Sequence, residues 1–234
     1  MLWFLYKMKK YLLTLLRNLS PKLFLYLKFY ILKSKKSDIN EHLGVLSTYA
    51  SKCESVFETG VRGVVSSWAL LHGLSKNNEN NKSIFLNDIV DVNIDSISKV
   101  ASKLSINFKF KKMSNLDLEF GSDESFDLTF IDTLHVYGQL KRELKKFASL
   151  TNKYMILHDT TVDGEFGEVN RYNFDAEKIS KETNIPINEL LIGLWPAVVE
   201  FIDENPEWEI LHRFTHNNGL TILKKIPETN NLWY

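Results

Sequence analysis

Val56-Phe57-Glu58-Thr59-Gly60-Val61-Arg62-Gly63 is the stretch whose reading decides the architecture. Its opening residues are β-branched and aromatic, as a short buried strand requires. The chain then breaks at two glycines, and a helical pattern opens at about residues 66–74. A strand that ends in a glycine turn and runs into a helix is the unit from which open parallel sheets are wound. Gly60 and Gly63 are expected to supply the freedom for the turn and a close backbone approach. Ser66 and Ser67 fall at the helix start, where free N–H groups and the helix dipole favour an anion. Val64 and Val65 interrupt the full dinucleotide fingerprint. The turn by itself is therefore a modest signal, compatible also with a plain tight turn.

Outward from this turn the alternation repeats. Short apolar runs at 83–86, 107–111, 126–131 and 154–158 read as strands, and amphipathic stretches at 38–50, 93–104 and 137–149 as helices. Strands separated by helices imply a parallel sheet with right-handed crossovers. Residues 207–215 and 219–224 then read as an antiparallel hairpin around His216-Asn217-Asn218, preceded by a helix at 196–205. The expected fold is α/β and Rossmann-like: a mostly parallel seven-stranded sheet with a C-terminal antiparallel hairpin and helices on both faces. The expected division is an N-terminal helical segment and linker at 1–37 and a main domain at 38–234. Within that domain, 161–194 is an insertion lying over the acceptor side.

The first 33 residues differ in kind. They are aromatic, leucine-rich and basic, with Lys7, Lys9, Lys10, Arg17, Lys22, Lys28 and Lys33 but no acidic residue. The lysines break every apolar run before it reaches the roughly 20 residues that a spanning helix needs. They also spoil the clean apolar stretch of a signal peptide. Two amphipathic helices broken at Ser20-Pro21 remain, lying on a membrane surface, on a partner subunit or on the chain's own domain. The whole chain is formally neutral, which gives no support to a nucleic-acid partner. Cys53 is the single cysteine, so neither a disulfide framework nor a cysteine zinc site is available. The expectation is a cytoplasmic protein, with peripheral membrane contact and homo-oligomerisation left open.

The chemistry-bearing residues stand at strand ends. Strand two ends in Asn87-Asp88, where an acid suits the two hydroxyls of a ribose without a 2′-phosphate. Asp88 is also readable as a turn cap, with Asp91 as a competitor. Strand four ends in Asp132, with His135 three residues on, and strand five in His158-Asp159-Thr160. In a doubly wound sheet strands one, four and five are neighbours, so Asp132, His135 and Asp159 are expected to converge. Two carboxylates at adjacent strand ends can hold a hard divalent cation. Such a cation lowers the pKa of a bound hydroxyl, and a nearby histidine can take the proton. Singly, each has a plainer reading: Asp132 a cap, His135 a surface histidine, His158 pointing away from Asp159 because strand residues alternate.

Three segments together, Glu58 to Gly63, Ile131-Asp132-Thr133-Leu134-His135-Val136-Tyr137 and Ile156-Leu157-His158-Asp159-Thr160, resemble the class I S-adenosylmethionine-dependent methyltransferases near the macrolide-sugar O-methyltransferases and the cephalosporin hydroxylase group. The likeness covers roughly residues 38–225, including Gly193-Leu194-Trp195-Pro196-Ala197-Val198 and Asn217-Asn218-Gly219-Leu220-Thr221. It implies the methyltransferase variant of the doubly wound fold and S-adenosylmethionine as cofactor. Glu58, Gly60, Arg62, Gly63, Ser66, Asp88, Ser114 and Asp132 would bind that cofactor, Glu58 taking its ammonium group. Magnesium is implied on Asp132 and Asp159, with His135 as the base. His158 departs from the pattern by standing where the group has an acid, which leaves a softer metal or no metal open and places His158 among the candidate ligands.

The insertion offers hydroxyl-binding groups for an acceptor in Asp163, Glu165, Glu168, Arg171 and Tyr172, with Trp195 as an aromatic platform. That mixture suits a sugar or glycan hydroxyl, and it also resembles a solvated loop. The leading expectation is metal-assisted O-methylation of a sugar. The alternatives are an iron-dependent hydroxylase on the same scaffold, or a non-catalytic module tethered through residues 1–33.

Overall fold

The structure is a computed structural model that describes residues 13–227. Its centre is one seven-stranded sheet: β1 (Ser55–Thr59), β2 (Ser83–Asp88), β3 (Asn107–Lys112), β4 (Phe126–Ile131), β5 (Thr151–His158), β6 (Trp208–Phe214) and β7 (Leu220–Lys225). The spatial order is β3-β2-β1-β4-β5-β7-β6. β1 to β5 run parallel, and β7 enters antiparallel between β5 and β6. The direction of winding reverses between β1 and β4, the position at which such sheets open a ligand crevice. Register puts Thr59 beside Ile131 and Ile131 beside Leu157. Gly60, Asp132 and His158 therefore leave the sheet at one level.

Alternation along the strands builds a core on each face. Val56, Ile84, Leu128, Phe130 and Ile156 point to one side, together with α1 (Pro21–Ser34), α2 (Leu43–Ala50), α3 (Val65–Leu74) and α4 (Asp95–Lys103). Phe57, Phe85, Phe126, Met155 and Leu157 point to the other, against α5 (Tyr137–Phe147) and α9 (Leu194–Glu204). α5 illustrates the logic: Leu140, Leu144 and Phe147 share its inner face, while Lys141 and Lys145 stay outside. Each fully buried Leu or Phe contributes about 1.5–3 kcal/mol. β3, at one edge, turns Phe108 and Phe110 inward and exposes Lys111 and Lys112, a common device against edge-to-edge pairing.

Three details differ from the sequence reading. β5 starts at Thr151 rather than 154, because the Thr151 hydroxyl meets that of Thr129 (2.6 Å) and donates to the Phe147 carbonyl (2.8 Å), holding a polar-looking stretch in the sheet. The 38–50 helix is a 3-10 turn at Asn40–His42 followed by α2. The 161–194 insertion is built rather than loose: α6 (Glu168–Arg171), α7 (Ala176–Thr183) and α8 (Ile187–Leu191) gather Val136, Val169, Ile185 and Leu190 into a small core of their own.

Residues 13–19 are helical, and Pro21 opens α1 where its missing N–H costs nothing. α1 packs on the chain's own body through Phe24, Leu25 and Phe29, the last stacked on His72 with ring centroids 4.0 Å apart. The portion of the N-terminal segment before residue 13 lies outside the described residues. Among the described residues no helix is long and apolar enough to cross a membrane.

Candidate active site

The glycine turn is held from both sides. Gly60 sits at φ 86°, and its N–H donates to the Asn87 carbonyl (3.0 Å). A Cβ there would lie 1.8 Å from the Asp132 carbonyl oxygen. Only glycine lets the β1 turn pass so close to the end of β4. Gly63 is different: a Cβ would meet only Val65 Cγ2 at 3.7 Å, and its φ is not positive. The left-handed positions are instead Arg62 (φ 41°) and Val64 (φ 60°). The expectation that Gly63 is needed for the turn is corrected on this ground.

Asp88 fills the turn-cap reading. Its Oδ2 accepts from the Val61 and Arg62 N–H groups, both at 2.8 Å, and its Oδ1 accepts from Val90 N–H (3.1 Å). The carboxylate therefore braces the turn, and Oδ1 alone keeps capacity for a further hydroxyl; two ribose hydroxyls do not find both oxygens free. Glu58 is completely buried and takes a short hydrogen bond from the Ser66 hydroxyl. Its other oxygen has no partner, and burial pushes its pKa up to about 8. The Ser66 hydroxyl thus ties the start of α3 to β1. Arg62 pairs with Asp38 at 2.5 Å, and Ser114 lies half-buried in the loop after β3.

The acid–histidine cluster assembles at the ends of β4 and β5. His135 Nε2 donates to Asp132 Oδ1 (3.1 Å), and His158 Nδ1 lies 3.2 Å from that same oxygen and 3.3 Å from Asp159 Oδ1. His158 does not point away, because Asp159 sits at φ 57° and so breaks the strand alternation; aspartate is among the few residues that tolerate this region. Two groups of potential ligands result, Asp132 with His158 and Asp159, and His135 with Asp159 and Asp163.

His135 is the hub. Its Nδ1 lies 3.0 Å from Asp159 Oδ2, 3.2 Å from Asp163 Oδ2 and 3.8 Å from Glu168 Oε2. None of these contacts has the direction of a hydrogen bond, and both this nitrogen and Asp159 Oδ1 are buried without a partner. Glu168 Oε1 also accepts the His135 backbone N–H (2.9 Å). Burial works to lower the His135 pKa, but the surrounding carboxylates outweigh it and hold it well above the usual value. His158 is raised for the same reason, chiefly by Asp132. Burial would raise Asp132, yet the two histidines hold it below the carboxylate range. Asp132, Asp159, Asp163 and Glu168 gather four carboxylates around one arginine and two histidines. Buried carboxylate and imidazole groups that converge with unmet hydrogen-bonding capacity are what a cation site offers.

The acceptor-side residues divide. Asp163 is fully buried and bound bidentately by Arg171, with both contacts at 2.7 Å, so it is committed to an ion pair and to His135. Glu165 is exposed beside the exposed Phe166. Tyr172 is exposed and carries the Arg171 guanidinium 4.3 Å above its ring. Trp195 is not an open platform, since the Arg213 guanidinium lies 3.4 Å over its ring. The sequence reading missed a buried relay behind the site: Glu143 accepts from Thr133 (2.6 Å), Gln139 (2.7 Å) and Asn115 (2.5 Å). A cavity of about 10 Å³, enough for one water, separates it from His135 and His158. The only trace in the sequence is the i, i+4 pair Gln139 and Glu143 on an otherwise apolar helix face.

No family model matches the chain, and no curated protein matches it. Solved structures do. An O-methyltransferase from Bacillus cereus in complex with S-adenosylhomocysteine superposes with a TM-score of 0.53 at 11% identity, covering 91% of this chain and 96% of that one. The S-adenosylhomocysteine-bound methyltransferase PaMTH1 from Podospora anserina gives 0.52 at 14%, covering 86% and 87%. The O-methyltransferase TomG from Streptomyces achromogenes, in complex with S-adenosylmethionine, gives 0.52 at 10%, covering 82% of each chain. At such identities the shared feature is the fold: this chain has the class I methyltransferase fold.

Proposed function

We propose that the chain transfers the methyl group of S-adenosylmethionine to a hydroxyl of a sugar or glycan, assisted by a divalent cation. The observation that carries the reading is the meeting of Asp132, His135, His158 and Asp159 at the ends of β4 and β5, beside the Gly60 turn. In this reading the cofactor rests on that turn. The unpartnered oxygen of Glu58 would take its amino group, and Asp88 Oδ1 and Ser114 would serve the nucleoside.

Asp132, Asp159 and His158 would hold the cation. Bound there, it supplies Lewis acidity that lowers the pKa of an acceptor hydroxyl. Because imidazole nitrogen joins carboxylate oxygen in the donor set, Mn²⁺ or Fe²⁺ suits it at least as well as Mg²⁺. Asp132 accepts a hydrogen bond from the Nε2–H of His135 and so favours the tautomer that presents Nδ1 as the basic nitrogen. The carboxylates around Nδ1 raise its affinity for a proton, and His135 would accept the acceptor hydroxyl's proton at that atom. Glu165 and Phe166, both exposed, would give the acceptor a rim with a polar group and a ring face.

Calorimetry with S-adenosylhomocysteine, followed by labelled methyl transfer to a panel of glycosides, tests this. His135→Ala is expected to lower turnover about 10²–10⁴-fold with cofactor affinity nearly intact. Unchanged turnover would remove His135 from the mechanism, and absent cofactor binding would remove the whole reading. The two histidines among carboxylates also sustain a second reading, an iron-dependent hydroxylase. Oxygen uptake without methyl transfer would favour it.

A further inference from the structure

α1 carries two apolar faces, and the protein uses one of them. Phe24, Leu25 and Phe29 are buried against the body. On the opposite side Leu23, Tyr26, Leu27, Tyr30 and Ile31 are all exposed, between 40% and 57%, and Leu19 just before the helix is 76% exposed. Their spacing of three and four residues makes one continuous stripe. The inner face is already packed on the body, and among the described residues the stripe stays exposed.

Charge says what the stripe fits. Lys22 and Lys33 stand on one flank of it, both exposed, and Lys35 and Lys36 follow at its end. The first 36 residues hold nine basic and no acidic residues in a chain that is neutral overall. A second copy of the chain is a poor occupant. A two-fold contact sets the same patch against itself, and here that brings like charges together. We propose that this face docks on an anionic phospholipid bilayer, lying in the plane of the interface. Leu23, Leu27 and Ile31 would enter the acyl boundary, Tyr26 and Tyr30 would sit at headgroup level, and the lysines would meet the negative headgroups. Fourteen residues with several lysines are too short and too charged to span. The docked helix leads straight to the catalytic end of the sheet. Asn40 donates to the Lys33 carbonyl (3.1 Å), and the Asp38 carbonyl lies 3.3 Å from His158 Nε2.

The test is co-sedimentation of the full chain with vesicles of phosphatidylcholine alone or enriched in phosphatidylglycerol. Binding is expected to the anionic vesicles and to fall as salt is raised. Lys22→Gln with Lys33→Gln should weaken partition about thirtyfold. Leu23→Ser, Leu27→Ser and Ile31→Ser together should abolish it while thermal unfolding stays unchanged, since these side chains are exposed in the free protein. If the triple variant fails to fold, the lysine pair still decides. Equal binding to both lipids, no binding, or binding that survives the lysine changes would overturn the proposal. So would a dimer in sedimentation that the lysine pair variant makes tighter while lipid binding is absent.

Discussion

Gly60→Ala should break this protein where Gly63→Ala, three residues on, should leave it intact. At Gly60 the added methyl carbon would lie 1.8 Å from the Asp132 carbonyl oxygen, 2.5 Å from its carbon and 3.1 Å from Thr133 N. All three are backbone atoms anchored in the β1–β4 ladder, where Asp132 N–H donates to the Thr59 carbonyl at 3.0 Å. None can rotate away as a side chain would. The left-handed φ of 86° adds about 1–2 kcal/mol for a residue with a Cβ, and overpacking adds about 1–3 kcal/mol. The sum, about 2–5 kcal/mol, is a large share of the 5–15 kcal/mol that stabilises a typical domain. At Gly63 the same methyl makes ordinary contact at 3.7 Å with no left-handed strain, so the change should lie within about 0.5 kcal/mol. Urea denaturation followed by circular dichroism measures both. Because the clash displaces Asp132, the Gly60 variant should also lose S-adenosylhomocysteine affinity at temperatures where it is still folded. Equal unfolding midpoints for the two variants would refute the reasoning.

Other outcomes follow from the same geometry. His72 is buried between Ser47, whose hydroxyl lies 2.9 Å from Nδ1, and Phe29, and burial pushes its pKa down to about 4. The unfolded chain takes up that proton near pH 6.5 and the folded chain only near 4, so stability is full above 6.5 and declines by up to about 3 kcal/mol as pH falls through that window. His72→Phe should flatten the slope measured by denaturant titration between those pH values, and an unaltered slope would count against it. Asp88→Ala leaves two N–H donors of the turn, Val61 and Arg62, and that of Val90 without their acceptor. It should cost about 3 kcal/mol, read as a lower unfolding midpoint. Mn²⁺ should raise the thermal midpoint of the wild-type chain and not that of Asp159→Asn, as expected for a ligand bound to the native state; an equal rise in both would place the ion elsewhere. Leu25→Ala should destabilise by about 2–5 kcal/mol if α1 belongs to the core, whereas a loosely tethered helix would show no change.

The fold was legible because it is written in local patterns. Strand residues alternate, helices such as α5 repeat their apolar positions at three and four, and the polar breaks between them are short. The strand-end residues Asp132, His135, His158 and Asp159 were legible for a related reason. In a doubly wound sheet the end of a strand is a fixed place, so a motif's position in the chain already gives its position in space. The same logic fails for what a side chain touches. Nothing in the sequence distinguishes an Asp88 that faces a ribose from one that braces its neighbour's turn, or a Trp195 that is bare from one covered by Arg213.

The sequence by itself determined the order of the elements, the glycine turn at the reversal of the sheet and the identity of the acids and histidines at its edge. Only the tertiary structure decided that Gly60 and not Gly63 bears the close approach. It also set His135 Nδ1 among Asp159, Asp163 and Glu168 at once, drew Glu143 in behind them, and left one face of α1 exposed among the described residues. The division has one cause. Secondary structure follows from interactions between residues a few positions apart, whereas Asp159, Asp163 and Glu168 meet at His135 only because long-range packing brings separate segments together.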